Sequence, residues 1–232
     1  MAACHNGQVE FGNLDGLDKS QLRTDCDTEA LLHFYRTNGE NGLMRRVEGS
    51  YVFCVADKRR KDVIVLRDRH GIKPACLGWK DGNYCVVSES IELRENGAEF
   101  RHNLIPGHAY YLKSDGSFDK EKIIDSSPRH CFFEWNYIAD QNSLIDQLNV
   151  RVVREMLGEK LAEEFNPKNI DILSYIPRCP ESAAEGYARK RNMEVTPLFY
   201  KMRSERSFLG SNKEARARSI GNNLYLLPGA YE

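Results

Sequence analysis

The sequence predicts an α+β domain followed by the opening of an α/β domain, on three observations. A ladder of short β-rich segments with tight polar turns fills the first half of the chain. A three-and-four-residue apolar repeat takes over after about Pro128. The chain's 232 residues exceed one typical domain of roughly 150 residues and fall short of two. A chain cut at one end would have this length, and the half-built pattern at the C-terminal side makes a second domain that is incomplete here or leans on a partner the expectation.

In chain order, Asp27 to Arg36 reads as a helix. Asp27 and Thr28 are N-cap types, Glu29 suits the first turn, and Leu31, Leu32, Phe34 and Tyr35 supply an apolar stripe. Ser50–Ala56, Asp62–Leu66, Ala75–Trp79, Tyr84–Ser88 and His108–Lys113 read as strands, because each is rich in Val, Ile, Tyr, Phe or Cys. The turns Asp57-Lys58-Arg59-Arg60, Lys80-Asp81-Gly82-Asn83 and Ser114-Asp115-Gly116 make them antiparallel hairpins. Val150, Val153, Leu157, Leu161 and Phe165 then mark a long helix. Ile170–Ile176 reads as a buried parallel strand, Glu181–Arg191 as a helix and Val195–Tyr200 as a second strand, which together form a βαβ unit.

Basic and acidic residues nearly cancel, 33 against 34, which argues against a nucleic-acid binder working through bulk charge. No run approaches the roughly 18 apolar residues of a membrane helix, and the N-terminus has no leader pattern, so a cytoplasmic address and no membrane partner are expected. Seven cysteines with no C-x-x-C pair write neither a disulfide framework nor a metal site.

Several polar stretches carry chemistry-bearing residue types. In His5-Asn6-Gly7, an amide side chain and an unobstructed backbone N–H are the donor types that cradle an oxyanion, although a plain Asn-Gly turn is the commoner use of that dipeptide. Asp25-Cys26-Asp27-Thr28-Glu29 reads locally as helix capping. Arg67-Asp68 through Pro74 reads as a charged hairpin loop. Ser88-Glu89-Ser90 lacks a G-x-S-x-G elbow, so a serine cap is the expectation there. Between Gly186 and Ile220, nine basic residues face three glutamates, which a solvated helix face would also produce.

Taken in order, His5-Asn6-Gly7, Asp25-x-Asp27-Thr28-Glu29, Arg67-Asp68-x-x-Gly71-Ile72-Lys73-Pro74 and Val87-Ser88-Glu89-Ser90 resemble the glutamine amidotransferase domain of the amidophosphoribosyltransferase family. The resemblance continues through Pro106-Gly107, Cys131 to Tyr137, Ile176-Pro177, Pro180-Glu181-Ser182 and Lys201-x-Arg203-x-x-Arg206-Ser207-Phe208. It implies a partial N-terminal-nucleophile domain of αββα layering over residues 1–128, and the start of an α/β phosphoribosyltransferase domain over 129–232. The implied activity is transfer of glutamine-derived ammonia to phosphoribosyl pyrophosphate, giving phosphoribosylamine in the first step of purine synthesis. Glutamine and phosphoribosyl pyrophosphate are the implied partners, within a homo-oligomer.

By position, Asn6 and Gly7 match the family's oxyanion hole, and Asp27 the carboxylate that holds the amino group of glutamine. Lys201, Arg203 and Arg206 match a basic loop over phosphoribosyl pyrophosphate. The family's nucleophile stands in a Cys-Gly-Ile/Val segment well before the His-Asn-Gly motif. That segment is not in this sequence, so the chain alone is expected not to hydrolyse glutamine. Cys4 abuts the oxyanion motif and is not followed by glycine, which leaves it the role of a small buried thiol. Cys131 matches one ligand of the iron-sulfur cluster found in some members, but one thiol does not hold a cluster. No metal or cofactor is therefore expected in this chain, with Mg2+ accompanying phosphoribosyl pyrophosphate in the complete enzyme. The alternative is a non-catalytic amidotransferase-like subunit that binds glutamine or a full-length partner.

Overall fold

The computed structural model describes residues 1–10, 17–202 and 210–230. It divides into two compact units, Met1–Glu134 with Ile138–Leu148, and Trp135–Tyr137 with Asn149–Glu232.

The first unit starts with β1 (Ala2–Val9) and α1 (Asp27–Arg46), followed by β2 (Gly49–Asp57) and β3 (Asp62–Arg67). Next come β4 (Cys76–Lys80), β5 (Asn83–Val87), α2 (Ser90–Glu95), β6 (Glu99–Asn103), β7 (His108–Lys113) and β8 (Phe118–Lys122). One antiparallel sheet runs β1-β2-β3-β7-β8, and a second runs β5-β4-β6. Side-chain alternation along β2 sets the layers. Tyr51, Phe53 and Val55 meet Leu31, Phe34 and Leu43 of α1, while Val52 and Cys54 face Leu77, Tyr84 and Val86 of the second sheet. On the far side, Leu93 of α2 lies against Gly78. The order helix, sheet, sheet, helix is the αββα layering the resemblance implies.

Helix α1 extends beyond the Asp27–Arg36 expectation. Gly39 interrupts it at φ +66°, and the chain then re-enters helix so that Leu43 and Met44 also reach the core. The polar, glycine-rich run Thr37 to Gly42 hides that second half. The five expected strands are all present within a residue or so at each end, while β1, β6 and β8 add three that their mostly polar sequences did not announce.

Beyond β8 lie β9 (Leu144–Ile145) and β10 (Leu148–Asn149). The second unit holds α3 (Val150–Glu164), α4 (Glu181–Arg191), β11 (Phe199–Lys201), α5 (Lys213–Gly221) and β12 (Leu224–Leu226). Helices α3 and α4 approach so closely that a Cβ at Gly158 would stand 1.9 Å from the Ala183 carbonyl oxygen, and one at Gly186 1.9 Å from that of Glu155. Asn192 ends α4 in the left-handed conformation.

The expected strands Ile170–Ile176 and Val195–Tyr200 do not form as such. They reduce to one parallel bridge, Leu173 with Val195, and only Phe199–Lys201 is a strand, paired antiparallel with β12. Two lone parallel strands gain too few hydrogen bonds to offset the ordering of their backbone, and Ile172 and Ile176 accordingly remain exposed. Arg189 and Lys190, part of the basic run, pair with Glu155, Glu159 and Glu163 of α3, so this share of the excess charge is helix packing.

Candidate functional site

His5-Asn6-Gly7 is not a turn. It lies in the middle of β1, paired in continuous antiparallel register with β2, so that Asn6 stands opposite Val52 and Gly7 opposite Tyr51. Glycine is required here by close approach, because a Cβ at position 7 would sit 2.0 Å from the Ser50 carbonyl oxygen, and φ is +146°.

Strand parity then decides where the backbone donors point. Tyr51 N–H donates to the Asp68 carboxylate at 3.1 Å, and Tyr51 carbonyl accepts from Asp68 N–H at 3.1 Å, so the odd residues of β2 turn their backbone toward β3. Even residues of β2 therefore serve β1, and their even partners, Cys4 and Asn6, use their backbone toward β2. The odd residues of β1 present theirs to the open edge of the sheet. Val9 confirms this parity, since its N–H donates to Asp27 Oδ2 at 3.3 Å. Gly7 N–H lies on that same edge, two residues or roughly 6.6 Å along the strand.

Asp27 is the first residue of α1, and its side chain caps nothing. The N-cap is Cys26, with no side-chain cap bond, and the capping expectation for Asp27 gives way to a long-range role. Its Oδ2 holds β1 through Val9, and its Oδ1 stands 3.5 Å from His5 Nδ1. A carboxylate offers about four acceptor sites, so this one, 24% exposed, retains capacity for a cation. The His5 side chain is 2% exposed. Its Nδ1 lies 3.4 Å from Thr28 Oγ1, and its Nε2 is buried without a hydrogen-bond partner. Burial lowers the His5 pKa below its ordinary value, against the opposing pull of Asp27, so the ring is neutral near pH 7.

On the other face of β1, Asn6 Nδ2 donates to Ser88 Oγ at 3.2 Å, which leaves its second N–H. Ser88 fixes that amide rather than capping α2. The cap is Glu89, in a box with Glu92. Glu89 also accepts from Asp140 N–H and Ser143 Oγ–H, and Ser90 Oγ accepts from Leu144 N–H, so the whole Ser88-Glu89-Ser90 corner is immobilised.

Arg67-Asp68 is likewise no exposed hairpin loop. Arg67 is fully buried and donates to the carbonyls of Lys73, Leu104 and Gly71 and, as a fork, to both carboxylate oxygens of Asp146. Asp68 accepts from the N–H groups of Tyr51, His70 and Gly71. These two residues shape the corner that sets the register of β2.

In the second unit, Lys201 sits on β11 and lines a cavity of about 210 Å³ with Ile176, Pro177, Ile220 and Leu224. Arg203 and Arg206 lie outside the described residues. The structure thus brings Asn6, Gly7 and Asp27 to one strand and its edge. Among their neighbours, the part Ser88 plays could not be read locally, because its contact spans 82 residues of sequence.

Residues 12–117 match the family model described as a glutamine amidotransferase domain. The chain is 35% identical over 207 residues to an amidophosphoribosyltransferase of Archaeoglobus fulgidus, covering 83% of this chain and 44% of that protein. With the Escherichia coli amidophosphoribosyltransferase it shares 28% identity over 233 residues, covering 89% of this chain and 46% of the relative. Among solved structures, the glutamine phosphoribosylpyrophosphate amidotransferase from B. subtilis complexed with ADP and GMP superposes with a TM-score of 0.83 at 25% identity, over 97% of this chain and 52% of that one. Fold and sequence alike define a glutamine amidotransferase-type domain followed by further α/β structure. Over most of its length the chain is similar to amidophosphoribosyltransferases, and it spans about half the length of the relatives it matches.

Proposed function

We propose that this chain forms part of a glutamine-dependent amidophosphoribosyltransferase, whose first unit binds glutamine along the edge of β1. The observation that carries the reading is the convergence of two groups on one strand edge: Gly7 N–H in open register and the Asp27 carboxylate anchored two residues away at Val9. A glutamine laid along that edge places its α-ammonium at Asp27 and its side-chain carbonyl at Gly7 N–H and the free N–H of Asn6. When a thiolate adds to that carbonyl, the oxygen gains a full charge, and fixed donors stabilise it without reorganising. Ser88 and the β1–β2 ladder supply the fixing. None of the chain's seven cysteines is assigned as the attacking thiol.

The wider reading follows the relatives. Residues 1–128 are the glutamine domain and 129–232 the opening of the phosphoribosyltransferase domain. Lys201, Arg203 and Arg206 contact phosphoribosyl pyrophosphate, and the ammonia released from glutamine converts it to phosphoribosylamine for purine synthesis. We place the protein in the cytoplasm as a homo-oligomer with no nucleic-acid or membrane partner. Among the described residues no helix is long and apolar enough to cross a membrane. Mg2+ accompanies the pyrophosphate substrate. Among the described residues no three His, Cys, Asp or Glu side chains converge to hold a metal, so no Mg2+ ligand is assigned here.

Calorimetric titration with glutamine tests the site. Asp27→Asn removes the charge that faces the ammonium, a charge-assisted contact worth about 1.5–3 kcal/mol, and should weaken binding about ten- to a hundredfold. Equal affinity in wild type and Asp27→Asn would return Asp27 to a purely structural tie between α1 and β1.

A further inference from the structure

Cys4 and Cys54 stand directly opposite each other in the β1–β2 ladder, and both are free thiols, Cys54 half-buried and Cys4 exposed, not the buried thiol its sequence context suggests. The parity argued above makes theirs a hydrogen-bonded antiparallel pair, for which Cα atoms lie about 5.5 Å apart, inside the roughly 4.4–6.8 Å that a disulfide spans. Directly opposed Cβ atoms need to close by only about an ångström to reach disulfide distance. Cys76 and Cys85, on β4 and β5, are by contrast diagonal, since Cys76 faces Val87 and Cys85 faces Gly78, and a diagonal separation of about 7–8 Å is too long.

We propose that Cys4 and Cys54 are a peroxide-modified pair that closes to a disulfide across β1 and β2, locking the strand that carries Asn6 and Gly7. Cys4, the exposed member, attacks hydrogen peroxide with its thiolate. The O–O bond breaks, hydroxide leaves and takes up a proton as water, and Cys4 becomes a sulfenic acid. Cys54 sulfur then attacks Cys4 sulfur, the S–O bond breaks, and the departing oxygen leaves as a second water with the proton from Cys54. Two thiols and one peroxide give one disulfide and two waters, with sulfur oxidised and peroxide reduced. Burial and the adjacent thiol hold Cys54 protonated, which assigns the first step to Cys4. Cys4 and Asn6 share one face of β1, so the bond would tie down the strand two residues from the amide. Nothing in this proposal depends on glutamine binding.

The full chain, treated with hydrogen peroxide, alkylated and digested with trypsin without reduction, should yield the peptide containing Cys4 joined to that containing Cys54, two hydrogens lighter than their sum. Dithiothreitol should reverse it. The oxidised protein should melt several degrees higher, because the bond closes a loop of some fifty residues. Cys54→Ser should leave Cys4 as a sulfenic acid that dimedone captures, whereas wild type should capture little, and unchanged circular dichroism of that variant shows it is folded. Equal dimedone capture in both, a linked peptide that joins Cys4 to another cysteine, or a bond found only between two molecules on a non-reducing gel would each overturn the proposal.

Discussion

Replacing Gly7 by alanine puts a methyl group where the main chain of β2 already stands. The added Cβ meets the Ser50 carbonyl oxygen at 2.0 Å, Tyr51 Cα at 2.7 Å and the Ser50 carbonyl carbon at 2.9 Å. All three are backbone atoms, so no rotamer change relieves the contact, and β1 must move away from β2. The φ of +146° adds strain, and a non-glycine residue in a sparsely populated region costs about 1–3 kcal/mol. Loosening the ladder around it forfeits further hydrogen bonds, each worth a net of about 0.5–1.5 kcal/mol. Gly7→Ala should therefore lose about 3–5 kcal/mol, a large part of the roughly 5–15 kcal/mol that holds a domain folded. Urea unfolding measures the loss, and amide exchange at Asn6 and Val52 locates it. Gly221→Ala is the control: nothing lies within 4 Å of its added Cβ at the end of α5, and it should be neutral or slightly stabilising. If Gly7→Ala lost less than about 1 kcal/mol with Asn6 exchange unchanged, the strand could not be as tightly seated as described.

Two further outcomes follow from buried polar groups. Arg67→Met leaves Asp146 and the carbonyls of Leu104, Gly71 and Lys73 without their donor, and should destabilise by about 3–5 kcal/mol in the same urea assay. A loss under about 1 kcal/mol would show that water takes the place of the guanidinium. His5 and His102 both have pKa values lowered by burial, opposed at His5 by Asp27 and reinforced at His102 by Lys120. The unfolded chain takes up their protons near pH 6.5 while the folded chain does not, so their stabilising effect is complete above that pH and drains away as pH falls through it. The urea midpoint should drop from pH 7.5 to 5.5, and drop less in His5→Gln/His102→Gln. A midpoint that rises on acidification would contradict this linkage.

What the sequence made legible was local. Strands β2, β3, β4, β5 and β7 follow from β-branched and aromatic runs ended by turn residues, and α3 and α4 from apolar spacing. What it hid was the meaning of polar groups whose partners lie far along the chain. Arg67 followed by Asp68 reads as surface, because nothing in the local pattern announces an acceptor as distant as Asp146. Asn6-Gly7 reads as a turn, because the pairing that makes it a strand comes from Val52 and Tyr51. The parallel pair misled in the opposite sense, since an apolar run such as Ile170–Ile176 specifies burial without supplying the strands that would bury it.

Register joins the two halves of this picture. Side chains and backbone groups alternate with period two, so a slip of one residue between β1 and β2 would turn Gly7 N–H inward toward β2 and move Asn6 away from Ser88. Val9 would also lose Asp27. Within β1 only Gly7 opposes that slip, because the rest of the strand is neither strongly apolar nor bulky. The other constraint comes from outside the strand. Asp68, enclosed and holding Tyr51 N–H, fixes which residues of β2 face β3, and the buried Arg67 beside it, bound to three carbonyls and to Asp146, fixes the corner from which Asp68 acts. Gly7, with no room for a side chain against Ser50, then admits a single register for β1. A charged motif distant in sequence from the donors thus acts on the candidate site by deciding which way one strand's N–H groups point.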